Sequence, residues 1–313
     1  MRARAWGLLL GYAADLLLGD PRRLHPVAGF GTAAAALERR MYADSRARGA
    51  AYAGLLVGGA TGLGLTAARL VRRSPAAEAA LTAAATWAVL GGRTLAREAD
   101  AVHALLEAGD LPAARRRLGH LAGRDASALD ADGIARAVVE SVAENTSDAV
   151  VAPLLWGAVA GVPGLVGYRA ANTLDAMVGH RSPRHERFGW ASARLDDVLN
   201  LPAARLTGLL TLAAAPTHAG TARRAWRRDA AAHPSPNAGV VEAAFAGSLG
   251  VRLGGTNIYG ERVEHRGTLG DGRTPTLRDI PRAVRLAGLV DGLAAALAVL
   301  ASARSITGVD GSR

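Results

Sequence analysis

The sequence predicts an all-α, polytopic integral membrane protein with an ordered polar loop region. Half of the 313 residues are apolar and the mean hydropathy is +0.14, values that are high for a water-soluble enzyme. Several apolar stretches approach the roughly 20 residues that a helix needs to cross a bilayer. Segments with the alternating pattern of a β-strand are nearly absent. An alanine-rich soluble helical protein has a similar composition and is the alternative.

Apolar residues are gathered in stretches that predict membrane helices. Those near crossing length are 50–68, 149–168 and 286–301, and the shorter ones are 5–18, 79–91 and 201–215. The first long stretch carries Gly54, Gly58 and Gly62, a small-residue spacing that is typical of helix contact faces in membranes. Prolines interrupt 149–168, and 201–215 is short, so each of these two segments is also a candidate re-entrant loop.

We expect a single membrane-embedded domain over 1–313. Two long polar segments separate the apolar stretches. Residues 92–147 are predicted as a polar helical loop, and 216–282 as a polar, Gly- and Pro-rich catalytic loop region around one short helix. Ser235 or Asn237 is a suitable N-cap for that helix. No internal repeat is visible.

The basic residues are all arginine, because the 37 Lys and Arg residues include no Lys, and the chain has no Cys. A P-loop lysine, a Schiff-base lysine, a thiolate nucleophile and a disulfide are therefore excluded. The net charge of +10 suits anionic lipid or phosphorylated substrates. The arginines are scattered and few aromatic residues lie between them, so we expect no nucleic-acid partner.

Polar residues beside the apolar stretches are the candidates for chemistry. His25 follows a Gly-Asp-Pro turn after the first stretch, where a plain loop residue is the alternative to a ligand. Glu140, Glu144 and Asp148 recur at four-residue spacing, which places them on one helix face. Like charges at that spacing repel unless a cation or an arginine lies between them, and an exposed acidic face is the alternative.

Two further polar clusters lie between the apolar stretches 149–168 and 201–215, one on each side of residue 181. Their members are paired by helical spacing, as Asn172 with Asp175, Asp196 with Asn200, and Arg194 with Asp197. Adjacent acids on one helix point about 100° apart, so Asp196 and Asp197 are expected to have different partners. A structural salt-bridge network explains either cluster alone, but two such clusters beside membrane segments favour function.

The fifth cluster lies in the Gly- and Pro-rich region. Ser235 and Asn237 precede the short helix, and Glu242 lies within it. A helix N-terminus is also a site for anions. Gly254 and Gly255 form a turn that can approach a phosphate or a flat ligand closely, although a glycine turn by itself is only a turn.

Five motifs appear in a fixed order over roughly residues 11–290. They are GDPRRLHPVAGFG, ENTSDAVVAPLLW, YRAANTLDAMVGH, FGWASARLDDVLNLPAARL and HPSPNAGVVEAAFAGSLGVRLGGTNIYG. In this order the set resembles the adenosylcobinamide-phosphate synthase family of cobalamin biosynthesis. The resemblance implies an integral protein of the bacterial cell (inner) membrane. It also implies condensation of adenosylcobyric acid with (R)-1-amino-2-propanol or its phosphate ester, with ATP and Mg²⁺.

The implied substrates are therefore the adenosylated corrinoid and aminopropanol or its phosphate, and the implied surroundings are membrane lipid and other cobalamin-assembly enzymes. We expect catalytic roles for Asp196, Asp197, Asp175, Glu144 and Glu242. We expect metal binding by Asp196, Asp197 and Asp148. We expect substrate or phosphate binding by Arg194, Arg169, Arg205, Asn172, Asn200, His25, Ser235, Asn237, Gly254 and Gly255.

The alternative function belongs to another class, that of a non-catalytic membrane scaffold or a signalling relative of the same family. Loss of the acids in the Asn-Thr-Leu-Asp and Arg-Leu-Asp-Asp motifs would indicate such a protein, and both motifs are intact here. A transporter ranks third, because it would be expected to carry a repeat with paired broken helices.

Overall fold

The computed structural model describes residues 2–21, 25–123, 126–180, 182–259 and 262–304. It is about 80% helical, which confirms the predicted all-α class. The α-helices are α1 (Arg2–Leu18), α2 (Pro26–Met41), α3 (Arg46–Val71), α4 (Pro75–Val89), α5 (Gly92–Glu107), α6 (Leu111–Leu118), α7 (Ala131–Thr146), α8 (Ala152–Ala160), α9 (Val162–Leu174), α10 (Trp190–Ala214), α11 (Ala219–Asp229), α12 (Ala238–Leu249) and α13 (Ile280–Arg304). Two π-helical segments, Ser147–Val151 and Asp175–Gly179, follow α7 and α9.

The chain divides into two compact units, each assembled from separated parts of the sequence. The first unit comprises Met1–Gly91, Ala152–Asn200 and Ala294–Arg313, and the second comprises Gly92–Val151 and Leu201–Leu293. That the whole chain acts as one membrane-embedded domain stays a prediction.

Small residues bring the helices of the first unit together. A Cβ added to Gly7 of α1 would lie 2.4 Å from Cβ of Thr82 on α4. A Cβ on Gly64 of α3 would lie 2.7 Å from Val166 on α9. The glycine stripe of α3 that was predicted as a contact face does not make such contacts. In the part of the chain that the structure describes, nothing lies within 4 Å of a Cβ added at Gly54 or Gly58. The contact side of α3 is rotated away from that glycine stripe.

The second unit contains the segments predicted as polar. Residues 92–147 form α5, α6 and α7, whose apolar sides share one core with Ile134 and Val138 fully buried. Residues 216–282 are more regular than predicted. Besides α11 and α12 they contain an antiparallel hairpin of β1 (Leu253–Tyr259) and β2 (Arg262–Leu269).

Two of the described helical segments, Arg46–Val71 and Leu277–Arg304, are long and apolar enough to cross a membrane. A third span is available if Trp190–Ala214 and Pro216–Ala232, which meet at a bend of 104°, form one broken span. The apolar stretch 149–168 is not one continuous helix, because α8 ends at a break and α9 starts anew; of the two alternatives for this stretch, the break fits a re-entrant segment better than a single span. Gly161 adopts a positive φ of 67° at this break, and Pro163 stands in the first turn of α9.

Candidate functional site

A buried carboxylate links two of the predicted motifs in the first unit. Asp196 of α10 is only 8% exposed. Its Oδ1 accepts a hydrogen bond from Asn172 Nδ2 of α9 at 3.3 Å, and its Oδ2 accepts one from Asn200 Nδ2 at 2.9 Å. The four-residue spacing between Asp196 and Asn200 puts both side chains on one helix face. The Asn-Thr-Leu-Asp and Arg-Leu-Asp-Asp motifs therefore meet at this acid.

Both amides around Asp196 are held in one orientation. The hydroxyl of Tyr168 donates to Asn200 Oδ1 at 2.9 Å, and Arg169 donates to Asn172 Oδ1 at 3.3 Å. Each amide carbonyl is thus occupied, and each amide nitrogen points to Asp196. The acid receives only neutral donors, and both Asp175 and Asp197 add negative charge nearby. A buried carboxylate in such surroundings favours the approach of a proton or a cation.

The neighbouring acid has a different environment. Asp197 Oδ2 pairs with Arg194 at 3.3 Å, and the two side chains are 30% and 62% exposed. This confirms that the adjacent acids have different partners. Among the described residues no group of three or more His, Cys, Asp or Glu side chains is arranged to hold a metal. Mg²⁺ commonly takes only one or two carboxylates together with phosphates and water, so the expected Mg²⁺ site stays a prediction.

Asp175 opens the second π-helical segment, and a glycine makes room for its carboxylate. A Cβ added to Gly179 would lie 1.8 Å from Asp175 Oδ1. The carboxylate therefore folds back over the backbone of Gly179. Single-turn π-helical segments are rare in proteins as a whole, and those that occur are often found at functional sites.

His25 is tied to its own loop. Its Nδ1 accepts the backbone N–H of Val27 at 3.2 Å, which caps α2, and its Nε2 lies 3.7 Å from Asp20. The residues that follow His25 line a cavity of about 120 Å³ within the first unit. Most of that lining is apolar, and Arg169 and Thr173 supply its polar groups. The first and third motifs therefore share one small cavity.

One ion-pair cluster of the first unit lies outside the predicted site. Glu38 Oε1 is 3.0 Å from Nε2 of His185 and 3.2 Å from Arg184. Burial by itself would raise the pKa of Glu38, but the hydrogen bonds from His185 and Arg184 outweigh it and hold that pKa below its ordinary value.

In the second unit, the serine and asparagine before α12 have separate tasks. Ser235 Oγ accepts the backbone N–H groups of Asn237 at 3.3 Å and Ala238 at 3.2 Å, so Ser235 supplies the predicted cap. The side chain of Asn237 instead accepts a hydrogen bond from Arg205 at 2.8 Å. Arg205 is thus fixed beside the start of α12.

Glu242 lies in the core rather than at an exposed site. Its side chain is 0% exposed, and Oε1 is 3.6 Å from Nε2 of His233, which is itself 2% exposed. All twelve residues of α12 are buried, so no face of this helix is open to solvent. Glu242 could therefore act in catalysis only if the core around α12 opened. A structural ion pair between Glu242 and His233 needs no such opening.

The glycine turn binds its own chain. Gly254 and Gly255 have positive φ values of 79° and 89°. The N–H of Gly254 donates to Glu140 Oε1 at 2.8 Å, and its carbonyl accepts a hydrogen bond from Arg136. These contacts hold the start of β1 against α7 and bury Glu140. The alternative stated from the sequence, that Glu140 lies on an exposed acidic face, is therefore wrong for this residue. Glu144, by contrast, is half-buried at the end of α7.

The chain was compared with known proteins. Residues 8–287 match the model of the CobD/Cbib protein family. The chain belongs to this family. "Cobalamin biosynthesis protein CobD" of Mycobacterium tuberculosis is 55% identical over 302 residues, which cover 96% of each chain. The protein of the same name from Chromobacterium violaceum is 46% identical, over 92% of this chain and 93% of its own length. The one from Geobacter metallireducens is 45% identical, over 86% of this chain and 87% of its own length. No solved structure matches the chain.

Family membership confirms the resemblance stated from the motifs. The matched segment begins before His25 and ends after the glycine turn, so every predicted site residue lies inside it. The site residues divide between the units. His25, Arg169, Asn172, Asp175, Arg194, Asp196, Asp197 and Asn200 belong to the first unit, and Glu144, Asp148, Arg205, Ser235, Asn237, Glu242, Gly254 and Gly255 belong to the second.

Each unit of this family member also carries one copy of a short repeat, which the sequence analysis missed. The pattern Ala-x-Asn-Thr-x-Asp-Ala-x-Val occurs at 143–151 and again at 170–178. In both copies the threonine hydroxyl bonds a carbonyl four residues earlier at 2.7 Å, from Thr146 to Val142 and from Thr173 to Arg169. A π-helical segment starts within one residue of the aspartate in each copy.

Burial agrees at some positions of the two copies and differs at others, such as the alanine after the aspartate, which is buried as Ala149 and exposed as Ala176. The residue before the aspartate is buried, as Ser147 and Leu174, and the closing valine is fully buried. The asparagine and aspartate remain partly exposed in each copy. The pattern therefore places Asp148 and Asp175 at corresponding, partly exposed positions at the start of a π-helical segment.

Proposed function

We propose that the chain acts in cobalamin biosynthesis as an ATP-dependent amide ligase. It joins (R)-1-amino-2-propanol or its O-phosphate to adenosylcobyric acid, which gives adenosylcobinamide or its phosphate. The observation that carries the proposal is the Asp196 centre, where two motifs of the family converge on a buried carboxylate held by oriented amides. The curated relatives bear the name of a cobalamin biosynthesis protein, which supports the pathway.

The chemistry needs a carboxylate to be activated and an uncharged amine to be positioned. Formation of an amide in water is uphill, and ATP can drive it through an acyl phosphate that the amine then attacks. Mg²⁺, when bound, would neutralise phosphate charge, and Asp196 and Asp197 of the first unit carry carboxylates of the type that it prefers. Arginine binds phosphate in a bidentate manner, and here no lysine is present to share that task.

The small cavity suits the amine. Its volume of about 120 Å³ is far below that of pockets for drug-sized ligands, roughly 300–1,000 Å³, and a corrinoid is larger still. Apolar side chains would receive the methyl group of aminopropanol. Arg169 lies at the cavity wall and would attract a phosphate ester. Because Arg169 also donates to Asn172, the same residue would connect the bound amine with the Asp196 centre.

In this proposal Asp196 takes a proton from the amine or orients it. Its burial keeps water away from the carboxylate, and the two amides fix its direction. Arg205, beside the start of α12, and Arg194, at the surface, are further candidates for phosphate contacts. We place this activity in the bacterial cell membrane, in contact with lipid and with other cobalamin-assembly enzymes as partners.

The test compares the two amines in purified protein. Arg169→Gln is expected to raise KM for aminopropanol phosphate much more than KM for the free alcohol, because it removes a phosphate contact. Arg39→Gln is the matched control, since it alters an exposed arginine of α2 that lies outside the candidate site. Equal changes of KM for both amines would contradict the assignment of the cavity. Corrinoid binding without any amide product would instead support the non-catalytic scaffold or signalling relative.

A further inference from the structure

One helix of the second unit presents a dense arginine surface that no predicted motif includes. Four of the eleven residues of α11 are arginines, and all four are exposed. They line a surface depression of about 530 Å³ together with Gly220. These side chains, which form the α11 arginine surface, are Arg223, Arg224, Arg227 and Arg228.

The spacing of these residues explains why they share one side. Arginines that recur at four-residue spacing stack along one helix face. The opposite side of α11 is covered by protein: Ala222 and Ala225 are buried, and a Cβ added to Gly247 of α12 would lie 2.5 Å from Cα of Ala222. The helix is therefore fixed, with its guanidinium groups turned outward.

Part of this positive charge is not balanced locally, although Asp271 attracts Arg224 as well as Arg228. Arg228 is paired with Asp229 at 2.5 Å and with Asp271 at 2.6 Å. In the part of the chain that the structure describes, Arg223, Arg224 and Arg227 form no salt bridge. Three like charges on two helical turns repel one another, so the surface favours an anionic ligand.

The position of α11 favours lipid as that ligand. The helix follows α10 through a bend of 104°, so α11 runs in a different direction from α10 where that helix ends. Trp226 packs against α10, where a Cβ added to Gly208 would lie 2.8 Å from the indole ring. Tryptophan is typical of both membrane–water interfaces, and an excess of arginine beside a membrane helix is typical of the cytoplasmic side.

We propose that the α11 arginine surface binds the phosphate headgroups of anionic phospholipids and thereby places the C-terminal end of α10 at the cytoplasmic face. The apolar side of α11 is already packed on protein, so the contact is electrostatic and does not need insertion of the helix. Binding should therefore weaken as salt concentration rises. The inference is independent of the amide ligase reaction.

The experiment titrates detergent-purified full-length protein with phosphatidylglycerol, phosphatidylcholine, or ATP as a soluble phosphate, and follows binding by native mass spectrometry. The double variant Arg223→Gln/Arg227→Gln should bind phosphatidylglycerol about 25-fold more weakly, since each arginine near an anionic surface contributes roughly a factor of five. The control pair Arg39→Gln/Arg116→Gln alters exposed arginines on α2 and α6 and should change nothing.

Preferential binding of phosphatidylglycerol that is lost only in the α11 variant supports the proposal. Equal binding of phosphatidylcholine overturns it, and so does an unchanged affinity in the α11 variant. Loss of ATP binding in that variant, with lipid binding intact, would show that the surface takes a soluble phosphate and would also overturn it. Thermal melting of each variant without lipid shows that the fold is retained.

Discussion

Replacing Gly179 by alanine tests the role of Asp175 with little disturbance to the fold. The new Cβ would lie 1.8 Å from Asp175 Oδ1, whereas real Cβ contacts essentially never fall below 3.0 Å. The carboxylate must therefore move by at least about 1.2 Å. The carboxylate is the free end of a side chain, and its Cγ, which lies 2.8 Å from the new Cβ, would move with it. The nearest atom outside Asp175, Cβ of Ala193, lies at an acceptable 3.4 Å, so the movement should cost little stability.

The expected effect on catalysis is large. Displacement of a catalytic group by about 1 Å can cost on the order of 100-fold in rate. We therefore expect Gly179→Ala to lower kcat for amide formation by about 100-fold, while its melting temperature stays within a few degrees of the wild type. Mass spectrometry of the corrinoid product at saturating substrates measures the rate. Turnover close to the wild type would show that the position of Asp175 is unimportant and would refute the reasoning.

Further predictions concern stability, pH and location. Gly49→Ala should prevent folding, because its Cβ would meet the backbone carbonyl of Phe188 at 1.8 Å; normal yield and melting of the variant would contradict this. Asp196→Asn presents a third amide donor where the amides of Asn172 and Asn200 already point, so it should lower kcat about 100–1,000-fold and stability by about 1–3 kcal/mol. Asp197→Asn, at a partly exposed position, should change stability by less than about 0.5 kcal/mol in the same melts. Because the pKa of Glu38 is lowered in the fold, its contribution to stability is present above its unfolded pKa and is lost as pH falls through its folded pKa. Melting followed down to acid pH should show this loss in the wild type, and a Glu38→Gln variant with the same pH profile would contradict it. Membranes washed with carbonate should retain the protein, since at least two helices are able to span a bilayer, and release in the wash would contradict membrane integration.

The parts of the fold that depend on local pattern could be predicted from the sequence. The helices within 92–147 follow from amphipathic spacing, and the cap at Ser235 follows from its place before a helical segment. The hairpin could not be predicted in this way. Its first strand is held by Glu140 and Arg136, which lie more than 100 residues earlier, and its glycines mask the alternation that marks a strand.

The candidate site shows the same division. Helical spacing predicts that Asp196 pairs with Asn200 and that Asp197 pairs with Arg194, and both pairs are present. Spacing cannot reveal that α12 is surrounded on every side, so the burial of Glu242 was not predicted. The nine-residue repeat was too short to stand out until its two π-helical segments showed the relation.

The central claim is that this member of the CobD/Cbib family forms an amide bond. The most direct measurement incubates the purified full-length protein in detergent with adenosylcobyric acid, Mg²⁺-ATP and either (R)-1-amino-2-propanol or its O-phosphate, and detects products by mass spectrometry. We expect a corrinoid with the mass of the two substrates less one water, formed only when ATP is present and greatly reduced in Asp196→Asn. If the folded wild-type protein binds the corrinoid but yields no such product with either amine, the protein is not the ligase proposed here.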